Sequence, residues 1–177
     1  MPARADTAPA GASPLPEIDI RIEAPGWQSL PEVEAVVRRA VETVLADYEP
    51  EDRGAVAVLL TGDAEIRHLN RDFRDKDTPT NVLSFPAAGL PDERILGDIA
   101  LAYETCAREA REEGKAVTDH LAHLVVHGVL HLLGFDHQAP DEAEEMEAEE
   151  VAILARLGIA DPYAGAELAQ NSHGASS

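Results

Sequence analysis

His127-Gly128-Val129-Leu130-His131-Leu132-Leu133-Gly134-Phe135-Asp136-His137 decides how the rest of this chain is read. Two histidines stand four apart, so on a helix their imidazoles leave one face a turn apart. Gly134 supplies a residue able to take positive φ and end that helix. His137 follows three residues later on the returning chain. Two imidazoles from a helix and a third from the turn behind it can converge on one divalent ion and leave a fourth position for water. That donor set describes a catalytic zinc site, one ion per chain, rather than a closed structural one. The helix that carries them is apolar almost all round from Leu121 to Leu133, which predicts burial. Its one polar stripe is His120, His123, His127 and His131.

The other histidines need sorting. His123 and His127 are also four apart, but only His127 and His131 lead into the glycine turn that returns a third ring. His120 and His123 therefore read as core or supporting histidines, and His68 and His173 as solvated. A ligating imidazole generally donates its second N–H to a carboxylate or carbonyl. Asp98, in an otherwise apolar strand, is a candidate for that role; a cap or turn hydrogen bond beside Gly97 explains it equally well. The spacing follows the extended His-Glu-x-x-His-x-x-Gly-x-x-His pattern of zinc peptidases with one departure. Gly128 stands where the general-base glutamate would be, which argues against peptide hydrolysis by that route.

Upstream, Ile18, Ile20 and Ile22 alternate with polar residues and predict a half-buried strand that Pro25-Gly26 stops. Val33, Val36, Val37, Ala40, Val41, Val44 and Leu45 recur at helical spacing, predicting a helix over 31–48 opened by Pro31. Ala55 to Leu60 has the composition of a central strand. Asp63 is placed to cap a helix whose inner face is Ile66, Leu69 and Phe73. Thr80 to Phe85 and Ile95 to Tyr103 read as strands, with Pro86 ending the first or marking it as an edge. Glu104 to Glu113 is helical and closed by Gly114, Thr118 is a plausible cap for the histidine helix, and Asp141 with Glu144 suggests a capping box. That last helix shows Met146, Ile153, Leu154 and Leu157 inward and ends at Gly158. This order predicts an α+β domain: one small sheet covered by helices around a buried, histidine-bearing helix. Residues 16–163 are expected to form one domain, with a disordered leader over 1–15 and a disordered tail over 164–177.

The formal charge of -20, from 14 basic and 34 acidic residues, disfavours non-specific attraction to phosphate or to an anionic membrane. No apolar run is long enough to span a bilayer, the first residues lack a secretory h-region, and the single Cys106 allows no internal disulfide. These point to a cytoplasmic protein with Cys106 in its core. Arg67, Arg71, Arg74 and Lys76 lie within ten positions, offset by Asp72 and Asp75. This local excess of two positive charges is the edge of so acidic a chain best suited to meet a phosphate backbone. The acidic stretch from Asp141 would face elsewhere or meet a basic protein. Tyr48, Phe73, Phe85 and Phe135 sit in apolar patterns, which predicts recognition of shape and backbone rather than a base code.

Three blocks carry a resemblance. His127 to His137, Phe73-Arg74-Asp75-Lys76-Asp77-Thr78-Pro79-Thr80-Asn81-Val82-Leu83-Ser84-Phe85-Pro86, and Leu96-Gly97-Asp98-Ile99 together resemble the signatures of the YbeY family of metal-dependent endoribonucleases, the rRNA maturation factors of bacteria. The resemblance spans about residues 17 to 163. It implies a mixed four-stranded sheet, zinc on His127, His131 and His137, and a catalytic role for Arg74. On residue chemistry alone, Arg74 is suited to charge on phosphoryl oxygens because a guanidinium presents paired donors and stays protonated; a surface pair with Asp75 or Asp77 is the other reading. The implied activity is cleavage of single-stranded RNA, at the 3′ end of small-subunit rRNA and in ribosome quality control, with the ribosome or a basic ribosomal protein as a further partner and neither DNA nor membrane. The rival readings are a zinc hydrolase of peptides and a non-catalytic, zinc-containing assembly factor. Asp136 is one candidate general base; attack by the RNA 2′-hydroxyl is the alternative route.

Overall fold

The computed structural model describes residues 17–48, 54–87, 95–135 and 139–163. In chain order the elements are β1 (Ile18–Ile22), α1 (Pro25–Gln28), α2 (Val33–Leu45), β2 (Ala55–Thr61), α3 (Asp63–Arg74), β3 (Val82–Pro86), β4 (Ile95–Ala102), α4 (Tyr103–Glu113), α5 (Val117–Leu132) and α6 (Pro140–Arg156). The expected leader and tail lie outside the described residues. Among the described residues no helix is long and apolar enough to cross a membrane.

The strands form one mixed sheet in the order β1-β2-β4-β3. β1, β2 and β4 run parallel, and β3 pairs antiparallel with β4 at the edge. Pro86 therefore closes an edge strand, where its missing N–H costs no ladder bond. Alternation along each strand separates two faces. Ile18, Val56, Val58, Leu60, Ile99 and Leu101 face a core shared with α2, α5 and α6. Leu83, Ala100 and Ala102 face the other way, against Ile66 of α3. α5 is enclosed, with Leu121, Val125, Val126, Val129 and Leu130 essentially without exposure.

Local expectations fail where tertiary contacts compete with them. Pro25-Gly26 does stop β1, but it also opens the short α1, which buries Trp27 with its indole N–H donating to the Thr61 carbonyl at 2.8 Å. Helix α2 starts two residues after Pro31, because Glu32 takes a left-handed φ of 53°. Gly62, not Asp63, caps α3; the Asp63 carboxylate instead accepts from the Thr105 N–H and hydroxyl, while Glu104 accepts the Asp63 N–H at 2.8 Å. Thr118 lies inside α5, whose cap is Ala116. The box expected at Asp141 and Glu144 is not the cap of α6: the cap is Ala139, two residues earlier, and Glu142 accepts its N–H at 3.3 Å. Phe73, expected inside, is 68% exposed.

Candidate metal and phosphate site

Helix α5 places His127 and His131 on one face, with ring centroids 4.6 Å apart and planes crossed at 80°. Both are partly buried and line one cleft of about 650 Å³ together with Arg74, Lys76, Asn81 and Ser84. The Nδ1 edge of each ring meets an acceptor. His131 Nδ1 lies 3.0 Å from the Phe135 carbonyl, which the turn at Gly134 (φ 106°) brings back under the helix. His127 Nδ1 lies 2.5 Å from Glu150 Oε2 on α6. An acceptor at Nδ1 places the proton there and the lone pair on Nε2. The two rings therefore present the donor chemistry a divalent ion needs. His137, the third expected ligand, and Asp136, the candidate base, lie outside the described residues, and among the described residues no cluster of three metal-ligating side chains forms.

Arg74 ends α3 at the mouth of the same cleft. Its Nη2 donates to the Ser84 carbonyl at 2.6 Å, and its guanidinium carbon stands 5.7 Å from the Phe85 ring centre. Ser84 also donates its hydroxyl to the Gly128 carbonyl on α5, at 3.3 Å. One residue of β3 thus ties the guanidinium to the histidine helix. A pair with Asp77 is excluded by geometry, because Asp77 is held by both nitrogens of Arg67 at 2.8 and 3.1 Å. Asp75 is the left-handed C-cap that turns the chain out of α3. Arg71 is engaged by Asp72 and His68, so Arg74 and Lys76 are the members of the basic segment that line the cleft.

Asp98 does not orient a histidine. It pairs with Phe85 across the sheet, and Ile99 pairs with Ser84. Ile99 and Ser84 face Gly128 on α5, so alternation turns Asp98 to the opposite face, where it is exposed. The carboxylate at His127 comes from α6 instead. Glu150 is fully buried and accepts from His127, from His123 Nε2 at 2.9 Å and from the Tyr163 hydroxyl. Burial by itself would raise its pKa, but the hydrogen bonds from His123, His127 and Tyr163 outweigh that and pull it down to about 2. Glu150 was countable in the sequence as one more acidic residue. The signal that marks it is its place on the inner stripe of α6, one turn after Met146 and one turn before Ile153 and Leu154.

His120 and His123 are supporting residues, as expected. His120 Nε2 meets Glu109 at 2.8 Å, and burial holds its pKa below the usual imidazole range against that hydrogen bond. Cys106 is buried, and burial raises its thiol well above the usual range, as suits a core thiol. His68 is exposed, and His173 lies outside the described residues.

A mixed sheet carrying a buried helix with paired imidazoles, and an arginine held across the same cleft, defines the chain as an α+β protein with a candidate metal and phosphate site. The family model for endoribonuclease YbeY matches residues 21–158, and the chain belongs to that family. It is 55% identical over 161 residues to "Endoribonuclease YbeY" of Rhodopseudomonas palustris, covering 86% of this chain and 84% of that one. It is also 55% identical over 154 residues to the protein of that name from Azorhizobium caulinodans, covering 84% and 96%. Among solved structures it is similar to the solution structure of TM1509 from Thermotoga maritima, with a TM-score of 0.57 and 28% identity over 87% of this chain and 93% of that one.

Proposed function

We propose that this chain cleaves single-stranded RNA in the cleft between α5 and β3, with one zinc ion held by His127, His131 and His137 and the scissile phosphate held by Arg74. As a member of the endoribonuclease YbeY family it is a metal-dependent RNA hydrolase that acts in rRNA processing. Our reading refines this to the 3′ end of small-subunit rRNA and to ribosome quality control in the cytoplasm, carried out by one domain over residues 16–163. The observation that carries the reading is the shared cleft, which two imidazoles oriented through Nδ1 and a fixed guanidinium line together.

These imidazoles would hold a divalent ion, which would supply Lewis acidity at a phosphoryl oxygen and make water beside it far more acidic. The chain's own residues do the rest. Arg74 spends one donor on Ser84 and keeps the others for the charge that gathers on the equatorial oxygens. Lys76 adds a point charge at the same edge. The exposed Phe73, edge to face with Phe85 at 5.3 Å, offers a flat surface beside Arg74 on which a base can stack. The acidic outer side of α6 repels RNA and suits a basic ribosomal protein. Peptide hydrolysis by the glutamate route has no support here, because Gly128 offers no carboxylate beside His127.

The test is cleavage of a single-stranded rRNA fragment by zinc-loaded protein, with His131→Ala and Arg74→Ala as folded controls. Loss of zinc and of cutting is expected for His131→Ala. A fall in kcat of about 10²–10³-fold is expected for Arg74→Ala. Mapped product ends distinguish attack by water from attack by the 2′-hydroxyl. Equal cutting by His131→Ala and wild type removes the reading.

A further inference from the structure

Glu150 is a carboxylate without exposure, in a stretch whose other acidic residues are exposed or, at Glu149, half-buried. A buried carboxylate is costly unless its partners satisfy it. Three donors converge on this one: His127 Nδ1 on Oε2, and His123 Nε2 together with the Tyr163 hydroxyl on Oε1. An ionised carboxylate only accepts, so each ring nitrogen that meets it carries a proton. His127 is thereby assigned the Nδ1–H tautomer, with its lone pair on Nε2. His123 is assigned the opposite Nε2–H tautomer, with its lone pair on Nδ1. That Nδ1 is buried and has no hydrogen-bond partner among the described residues. One carboxylate thus imposes opposite tautomers on two histidines a single turn apart.

We propose that Glu150 is the positioning residue of the metal site: it selects His127 as a ligand by fixing its tautomer and ring plane, and it withholds His123 by occupying that ring's Nε2. Tyr163 pins the carboxylate. It comes from the segment after α6, whose Ile159 packs on the core, so the chain beyond the last helix completes the arrangement. This explains why a run of histidines at 123, 127 and 131, each four apart, yields one ligand pair and not two competing ones. The proposal rests on the reading of His127 as a ligand.

The test uses the full chain with Glu150→Gln, Tyr163→Phe and His127→Ala. Glutamine keeps the shape. With its carbonyl still accepting from His123 and Tyr163, its NH₂ faces His127 Nδ1 and drives the ring proton to Nε2. Two quantities are read: zinc affinity by chelator competition, and the ¹⁵N shifts of the His127 ring in metal-free protein. Glu150→Gln is expected to lose about 10–100-fold in zinc affinity and to move the His127 proton from Nδ1 to Nε2. Tyr163→Phe is expected to lose less and to keep the wild-type tautomer. Should Glu150→Gln fail to fold, the metal-free wild type carries the test: an Nε2–H tautomer of His127 beside the intact Glu150 overturns the proposal. If His127→Ala abolishes tight binding while folded Glu150→Gln binds zinc as wild type does, the positioning role is lost and the ligand reading survives. If His127→Ala binds zinc unchanged, both fall.

Discussion

At the scale of single residues, Gly128 and Glu150 make opposite points. Gly128 follows the first histidine of the motif, where peptidases carry their base, and the fold shows why glutamate is not accommodated. A Cβ there would stand 3.1 Å from two carbons of Ile99 and 3.2 Å from the Ser84 hydroxyl. Gly128→Glu is expected to cost more than about 3 kcal/mol in urea unfolding and to confer no peptidase activity; a stable variant that cleaves peptides would contradict this account. Alanine is a weaker probe, since its gain of about 1 kcal/mol in helix propensity offsets the crowding. Glu150 shows how charge misleads a linear reading: a buried carboxylate that meets His123 and His127 looks the same in sequence as its acidic neighbours. Its helical register with Met146 was the available signal, and the acidic composition around it obscured that signal.

At the scale of elements, the site depends on how α3 hands the chain to β3. Asp75 takes a left-handed φ of 59°, and the Lys76 N–H returns to the Asn70 carbonyl at 3.2 Å. Asn70 is buried and donates its side-chain amide to the Thr78 carbonyl at 2.8 Å. This knot sets where Arg74 leaves the helix. Asn70→Ala removes the donor and leaves a carbonyl unsatisfied, at about 1–2 kcal/mol. The expected outcome is a lower urea midpoint and slower RNA cleavage with zinc affinity unchanged, because α5 is untouched. Loss of zinc affinity in that variant would show that the two halves of the cleft are not separable.

At the scale of the whole molecule, a chain of formal charge -20 must meet a polyanion. The basic segment over 67–76 is smaller than its count implies, because Arg67 is neutralised by Asp77 and Arg71 is shared between Asp72 and His68. Arg74 and Lys76 remain on the cleft. Two phosphate contacts on a single strand predict a log–log salt slope of about -1.4 for RNA binding. Fluorescence anisotropy across a salt series measures it, and a slope near -4 would require more phosphate contacts than Arg74 and Lys76 make.

The strand and helix periods of β1, β2 and α5, the α+β class, the paired histidines and the glycine turn could all be read from the chain by itself, because each is set by residues within a few positions of one another. Arg74 was legible through its block, which runs from the end of α3 into β3. Tertiary structure alone decided the partners. Whether Asp98 or Glu150 orients His127 depends on which face of β4 meets α5, and on the inner stripe of α6 reaching back across 23 residues to His127. Phe73 continues the apolar spacing of α3, yet it lies exposed at the end of that helix, edge to face with Phe85 of β3. Local pattern determines which face a side chain takes on its own element. What stands opposite that face is set by long-range packing, and in this site that packing chooses the tautomer.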